Sequence, residues 1–137
     1  MTFFHGTAAI FDTFCPSTRG QLTGASGAER ATFFAASAAD AAFYADKSAE
    51  WHAGQGLDSD RRIIAADLDL SGALVVGADL SADTVEIDGE EYSIDDDAGI
   101  LRAATLAGFT AVDFIYGNAN NSGRTVAVID LSIVSVK

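Results

Sequence analysis

The hydrophobic positions of this chain come in short runs whose period changes. From Arg61 to Leu70, Ile64, Ala66, Leu68 and Leu70 face one way while Asp67 and Asp69 face the other. That two-residue period predicts a strand with one dry face. Thr32-Phe33-Phe34 favours a strand, and small residues follow it to Ser37, which stands where a helix N-cap belongs. Asp40, three residues on, makes a variant of the capping box. The predicted helix runs to about Trp51 and is ended by Gly54 and Gly56. It carries Tyr44 one turn beyond Asp40 and Ala41, and Trp51 two turns beyond Tyr44. A second helix is predicted over Ala98–Ala107, with Asp95, Asp96 and Asp97 at its positive end. Ile100, Leu101, Ala104 and Ala107 form its apolar stripe, and Gly108 is its C-terminal cap.

The remaining runs are too short for helices. Phe3 and Phe4 open a strand that breaks at Gly6, and Ala73–Val76 is a short apolar strand after the turn Ser71-Gly72. Thr84–Ile87 and Glu90–Ile94 flank Asp88-Gly89, the signal of a two-residue hairpin. Ala111–Tyr116 and Arg124–Asp130 are strands joined by the polar turn Gly117–Gly123, so this closing pair is antiparallel. Ile133, Val134 and Val136 continue as an edge segment. Residues 11–31, punctuated by Pro16, Gly20, Gly24 and Gly27, have no sustained period and read as a lid or binding loop. Two helices among strands that cannot all be parallel make the class α+β, in a single domain over residues 1–137.

Charge and composition narrow the function. The net charge is −12, from 8 basic and 20 acidic residues. Affinity built on a nucleic-acid phosphate backbone needs a Lys/Arg surface, so direct nucleic-acid binding is not expected. A basic partner fits better, with the acidic segment Glu86–Asp97 as its contact region, although a solvated hairpin and helix start explain those acids equally well. Cys15 is the single cysteine, so no intramolecular disulfide forms within this chain, and with only His5 and His52 no metal site is expected. No basic leader with an apolar run opens the chain, and no apolar stretch approaches the ~20 residues of a membrane span. The expected setting is the cytoplasm of a bacterial or host cell, away from the membrane.

Two short stretches carry candidate chemistry. His5-Gly6-Thr7 sets an imidazole, a bare backbone and a hydroxyl in succession, which suits either close ligand approach or a strand ending in a turn. Phe33 and Phe34, followed from the next helix by Tyr44, either hold a flat ring between aromatic faces or pack as ordinary core.

The order of these features, with Gly108-Phe109-Thr110 and a closing hairpin through Val126–Asp130, resembles the ADP-ribosyltransferase superfamily, on its poly(ADP-ribose) polymerase-like and diphtheria-toxin-like side. It looks especially like the compact transferases of phages and mobile elements, which include anti-CRISPR effectors and toxin-like proteins. The spacing from Phe33 to Tyr44 matches the polymerase-like pattern without a gap. The resemblance implies split, facing antiparallel sheets with flanking helices and a cleft for NAD as co-substrate. It implies mono-ADP-ribosylation of a macromolecular acceptor, a protein rather than nucleic acid. His5 would bond the adenosine ribose, the Gly6 backbone would hold the nicotinamide amide with Thr7 in support, and Phe33 and Tyr44 would bracket the ring beside Phe34. The catalytic candidates are then His5, Tyr44, Asp113 and Thr125. The chain departs from the pattern where Phe33 replaces a Tyr, where Ala28–Ala31 replaces a Gly-x-Gly, and where Thr125 occupies the place of a catalytic Glu. Asp113 is either a replacement acid or a solvent-facing strand residue. A degenerate member that binds NAD, ADP-ribose or a protein without turnover is the alternative.

Overall fold

Ser37 caps its helix as its position predicts. Its backbone is extended (φ −111°, ψ 133°), and its Oγ accepts the N–H groups of Ala39 and Asp40 at 3.1 and 3.3 Å. In the computed structural model, which describes residues 1–8, 31–78, 81–117 and 123–137, this helix is α1 (Ala38–Gly54). Gln55 closes it by donating to the carbonyls of Trp51 and His52. The second helix, α2 (Asp97–Ala107), is capped by Asp96, whose carboxylate accepts from Gly99 N–H at 3.0 Å. Gly108 ends it in the left-handed conformation at φ 87°. Ile100, Leu101 and Ala104 are buried as expected, whereas Ala107, in the last turn, is exposed. Residues 11–30 of the loop read over 11–31, with Cys15, and most of the polar turn 117–123 lie outside the described residues.

Seven strands make one sheet: β1 (Thr2–Thr7), β2 (Thr32–Ala35), β3 (Arg62–Leu68), β4 (Ala73–Val76), β7 (Ala111–Phe114), β8 (Thr125–Val128) and β9 (Val134–Val136), in the order β4-β7-β8-β2-β1-β3-β9. All pairs are antiparallel except β4 with β7. The hairpin of β5 (Thr84–Ile87) and β6 (Glu90–Ser93) stands apart as a second sheet. Its turn residues Asp88 and Gly89 both have positive φ, 53° and 85°, as such a turn requires. The class is therefore α+β. The strands expected in two facing sheets instead share one hydrogen-bonded sheet, whose continuity at its middle rests on a single residue pair, Phe4 with Ala35.

Side chains alternate across this sheet and make two cores. Val76, Val112, Phe114 and Ala127 pack beneath Ile100, Leu101 and Ala104 of α2 and Ile87 of the hairpin. Phe3, Phe34, Ala66, Ala111, Val126 and Val128 fill the far side against Leu131, Ile133 and Val134. β1 does not break at Gly6, as the sequence suggests. It runs on to Thr7, with Gly6 paired to Ile63 of β3. Gly6 is there because α1 lies directly on it: a Cβ at Gly6 would collide with the carbonyl oxygen of Ala41 and stand 2.9 Å from the nitrogen of Ala45. Both helices thus cover one side of the sheet, α1 over β1 and α2 over β7.

Candidate functional site

The site begins where β1 and β2 stop pairing. Ala36 N–H donates to Arg124 C=O at 3.1 Å, so Phe34 and Ala36 turn their backbone groups toward β8, while Phe33 and Ala35 turn theirs toward β1. At the far edge, Lys137 N–H donates to Ala65 C=O at 3.0 Å. Ala65 therefore faces β9 and Ala66 faces β1, where Phe3 is its partner. By alternation Phe3, His5 and Thr7 turn their backbones to β3, and Phe4 and Gly6 turn theirs to β2. Phe4 meets Ala35. By the same alternation Gly6 turns its N–H and C=O to the β2 side, past the one pair that joins the two strands.

His5 takes the place of the missing ladder bond. Its Nδ1–H donates to the carbonyl oxygen of Phe33 at 2.6 Å, and its ring leans on Phe34 with centroids 5.4 Å apart. Burial pushes the imidazole from its ordinary 6.5 down to about 4. The bond to Phe33 opposes that shift and the nearby charge of Arg62 adds to it. At neutral pH the ring is uncharged. With Nδ1 donating, Nε2 carries the lone pair and acts as an acceptor.

Phe33 lies on β2 and Tyr44 on α1, both on the helix side of the sheet. Phe33 is half-buried on the helix side, opposite Ala127, and packs against the core beneath α2. Asp46 of α1 is paired at 2.6 Å with Arg61, which immediately precedes β3. At ~100° per residue, Tyr44 lies about 200° around the helix from Asp46. The flank carrying Asp40, Tyr44 and Trp51 is thus turned away from β3 and toward β2. Tyr44 is half-buried there, with exposed Phe43 edge-on to it at 5.7 Å. The exit of β1 is tied to α1 as well: Ala8 N–H donates to Ser48 Oγ at 3.0 Å, and His52 Nδ1 donates to Ser48 C=O at 2.7 Å.

The structure brings some of the expected residues together and separates others. Gly6, Phe33, Tyr44 and Thr125 are on the helix side. The side chains of His5, Thr7, Phe34 and Asp113 leave the sheet on its far side, and His5 reaches the seam only through Nδ1. Thr125 pairs with Ala35, which makes it a diagonal neighbour of Phe33. It is buried, and its hydroxyl donates to Gly123 C=O at 3.1 Å. Asp113 is not solvent-facing. Its side chain is 5% exposed, and Arg124 grips it with Nε at 3.1 Å and Nη2 at 2.8 Å. That bond raises the Arg124 pKa further, against a smaller opposing effect of burial. The guanidinium also lies 5.3 Å over Phe3, and Nη1 donates to Met1 Sδ.

Sequence reasoning missed Arg124, Arg62 and Ser48. Arg124 had a usable signal, since the expected antiparallel hairpin brings it near Asp113. Ser48 had none, because its partner is a backbone N–H forty residues away. Among the described residues, no three His, Cys, Asp or Glu side chains are grouped to hold a metal ion, and no helix is long and apolar enough to cross a membrane. Compared with protein-family models, curated proteins and solved structures, the chain gives no match.

Proposed function

We propose that the seam binds the nicotinamide end of NAD and that the chain transfers a single ADP-ribose unit to a protein. The observation that carries this reading is the end of β1–β2 pairing at Phe4 and Ala35, beyond which strand alternation turns the N–H and C=O of Gly6 to the β2 side. A primary carboxamide offers one acceptor and two donors, so it pairs with one residue's N–H and C=O as an adjacent strand would. The residues fit such a group. Phe33 on the sheet and Tyr44 on α1 are the aromatic groups on the helix side that would stack the ring. NAD supplies a ribose carbon whose bond to nicotinamide breaks with the electron pair leaving on the ring. The protein's part is to fix the amide, stack the ring and leave that carbon open to an acceptor nucleophile, which gives up its proton. The test is mass spectrometry of nicotinamide released from NAD, with and without lysate protein as acceptor.

A second reading, binding without turnover, is favoured by one observation. Neither β2 nor β8 places a carboxylate on the helix side, and Asp113 is committed to Arg124 on the other. An oxocarbenium-like transition state then lacks the charge that would stabilise it. NAD binding with no nicotinamide release from any lysate selects this reading.

A further inference from the structure

We infer that the main sheet is hinged along the line between β1 and β2. One leaf is β1, β3, β9 and α1; the other is β2, β8, β7 and β4 with α2 and the hairpin. The leaves part on the helix side while the far-side core holds them as the pivot. The hinge does not depend on which ligand the seam takes.

Strand pairing locates the weak line. Every residue from Thr2 to Thr7 pairs with β3, and every residue of β2 pairs with β8, but β1 and β2 share Phe4 with Ala35 alone. By alternation these two residues turn their N–H and C=O groups toward each other, so one pair carries the backbone bonds of the junction. The bond from His5 to Phe33 C=O adds a side-chain tie beside it. Packing divides the same way. On the helix side the buried cluster beneath α2 runs from Ala31 and Ala127 to Val112, Val76 and Ile87, and among the described residues none of β1, β3, β9 or α1 joins it. Helix α1 is seated on β1 at Gly6, and the chain reaches it from β2 through Ala36 and Ser37. The far side is continuous. There Phe3 and Ala66 of one leaf share a core with Phe34, Val126 and Val128 of the other, and the Arg124 guanidinium lies 5.3 Å over the Phe3 ring. The chain also crosses between leaves at 69–72 and 130–133, where Leu70, Leu131 and Ile133 pack against that core. One shared face and one divided face let two leaves rotate, with residues at element ends absorbing the change.

Native-state hydrogen exchange of the parent protein, read amide by amide by NMR, tests this, because neighbouring amides of one strand report different junctions. Phe4 and Ala35 open with the hinge. Phe3 and His5 face β3, and Phe34 and Ala36 face β8, so these four open only when a leaf itself unfolds. The expected result is protection at least tenfold lower at Phe4 and Ala35 than at the other four, and equal within threefold at the two. Their urea dependence should also be shallower, since opening the hinge exposes less surface than unfolding a leaf. Fraying of β1 from its end would instead take Phe3 before Phe4. His5→Leu, which removes the side-chain tie, should lower protection at Phe4 and Ala35 at least fivefold more than at Phe34 and Ala36. If His5→Leu does not fold, His5→Val is read by the same criterion. Protection at Phe4 and Ala35 matching that of their strand neighbours, or differing between the two by more than threefold, overturns the hinge. Equal lowering at all these amides in the variant overturns His5 as its tie.

Discussion

His5 and Phe33 are joined across an interrupted ladder: the imidazole Nδ1 meets the Phe33 carbonyl oxygen at 2.6 Å, where strand pairing has just ended. A side chain thus satisfies a carbonyl that would otherwise sit in a seam without a strand partner. Strand alternation turns the polar groups of Gly6 to the same side.

The burial of that imidazole makes stability depend on pH. His5 titrates at about 4 when folded, against 6.5 for the ordinary side chain. Between those values the unfolded chain binds a proton that the folded chain refuses. The His5 contribution is complete above pH 6.5 and is lost as pH falls toward 4, to an extent on the order of 3 kcal/mol. Urea midpoints at pH 7 and pH 4.5 should differ more for the parent protein than for His5→Gln. Equal differences would contradict the buried neutral imidazole.

Gly6→Ala should destabilise the fold by about 3 kcal/mol, because what the new methyl meets is the backbone of α1 and not a side chain that can swing away. Equilibrium urea unfolding measures it, and a parent-like midpoint would show that α1 is not seated as described.

Much of this fold is legible in the chain. Ser37, Gly108 and Asp88-Gly89 act locally, through bonds and dihedral angles set within a few residues, and each does what its neighbourhood predicts. Gly6 was misread because a glycine among β-formers looks like a break, and only a helix more than thirty residues later gives it a reason to be in a strand. Asp113 was misread for the same kind of reason. Its partner, Arg124, is two residues from its strand pair, Val126, and becomes visible only once the register is known. The joining of all main strands into one sheet depends on pairings between strands far apart in the chain, such as β2 with β8, about which hydrophobic period is silent.

Asp113→Asn should act on stability and not on chemistry. The carboxylate is nearly inaccessible while its Arg124 partner is about one-third exposed, so breaking the pair should cost about 2 kcal/mol after allowing for solvent screening. Transfer per folded molecule should stay within twofold of the parent. A tenfold loss with unchanged unfolding midpoint would restore Asp113 as a catalytic acid.

Neither β2 nor β8 carries a carboxylate, so on the proposed reading neither strand supplies a base to activate a ribose hydroxyl as the next acceptor. Modified target protein should therefore carry one ADP-ribose unit per site by intact mass. A polymer ladder would contradict this.

Calorimetric titration of NAD into the parent protein and into Tyr44→Ala tests the central claim most directly. A saturable one-to-one isotherm is predicted for the parent. The loss of one stacking face, on the order of 1–3 kcal/mol, predicts roughly ten- to hundredfold weaker binding in the variant. No binding to the parent, or equal affinity in the two proteins, would contradict an NAD site in the seam between Gly6, Phe33 and Tyr44.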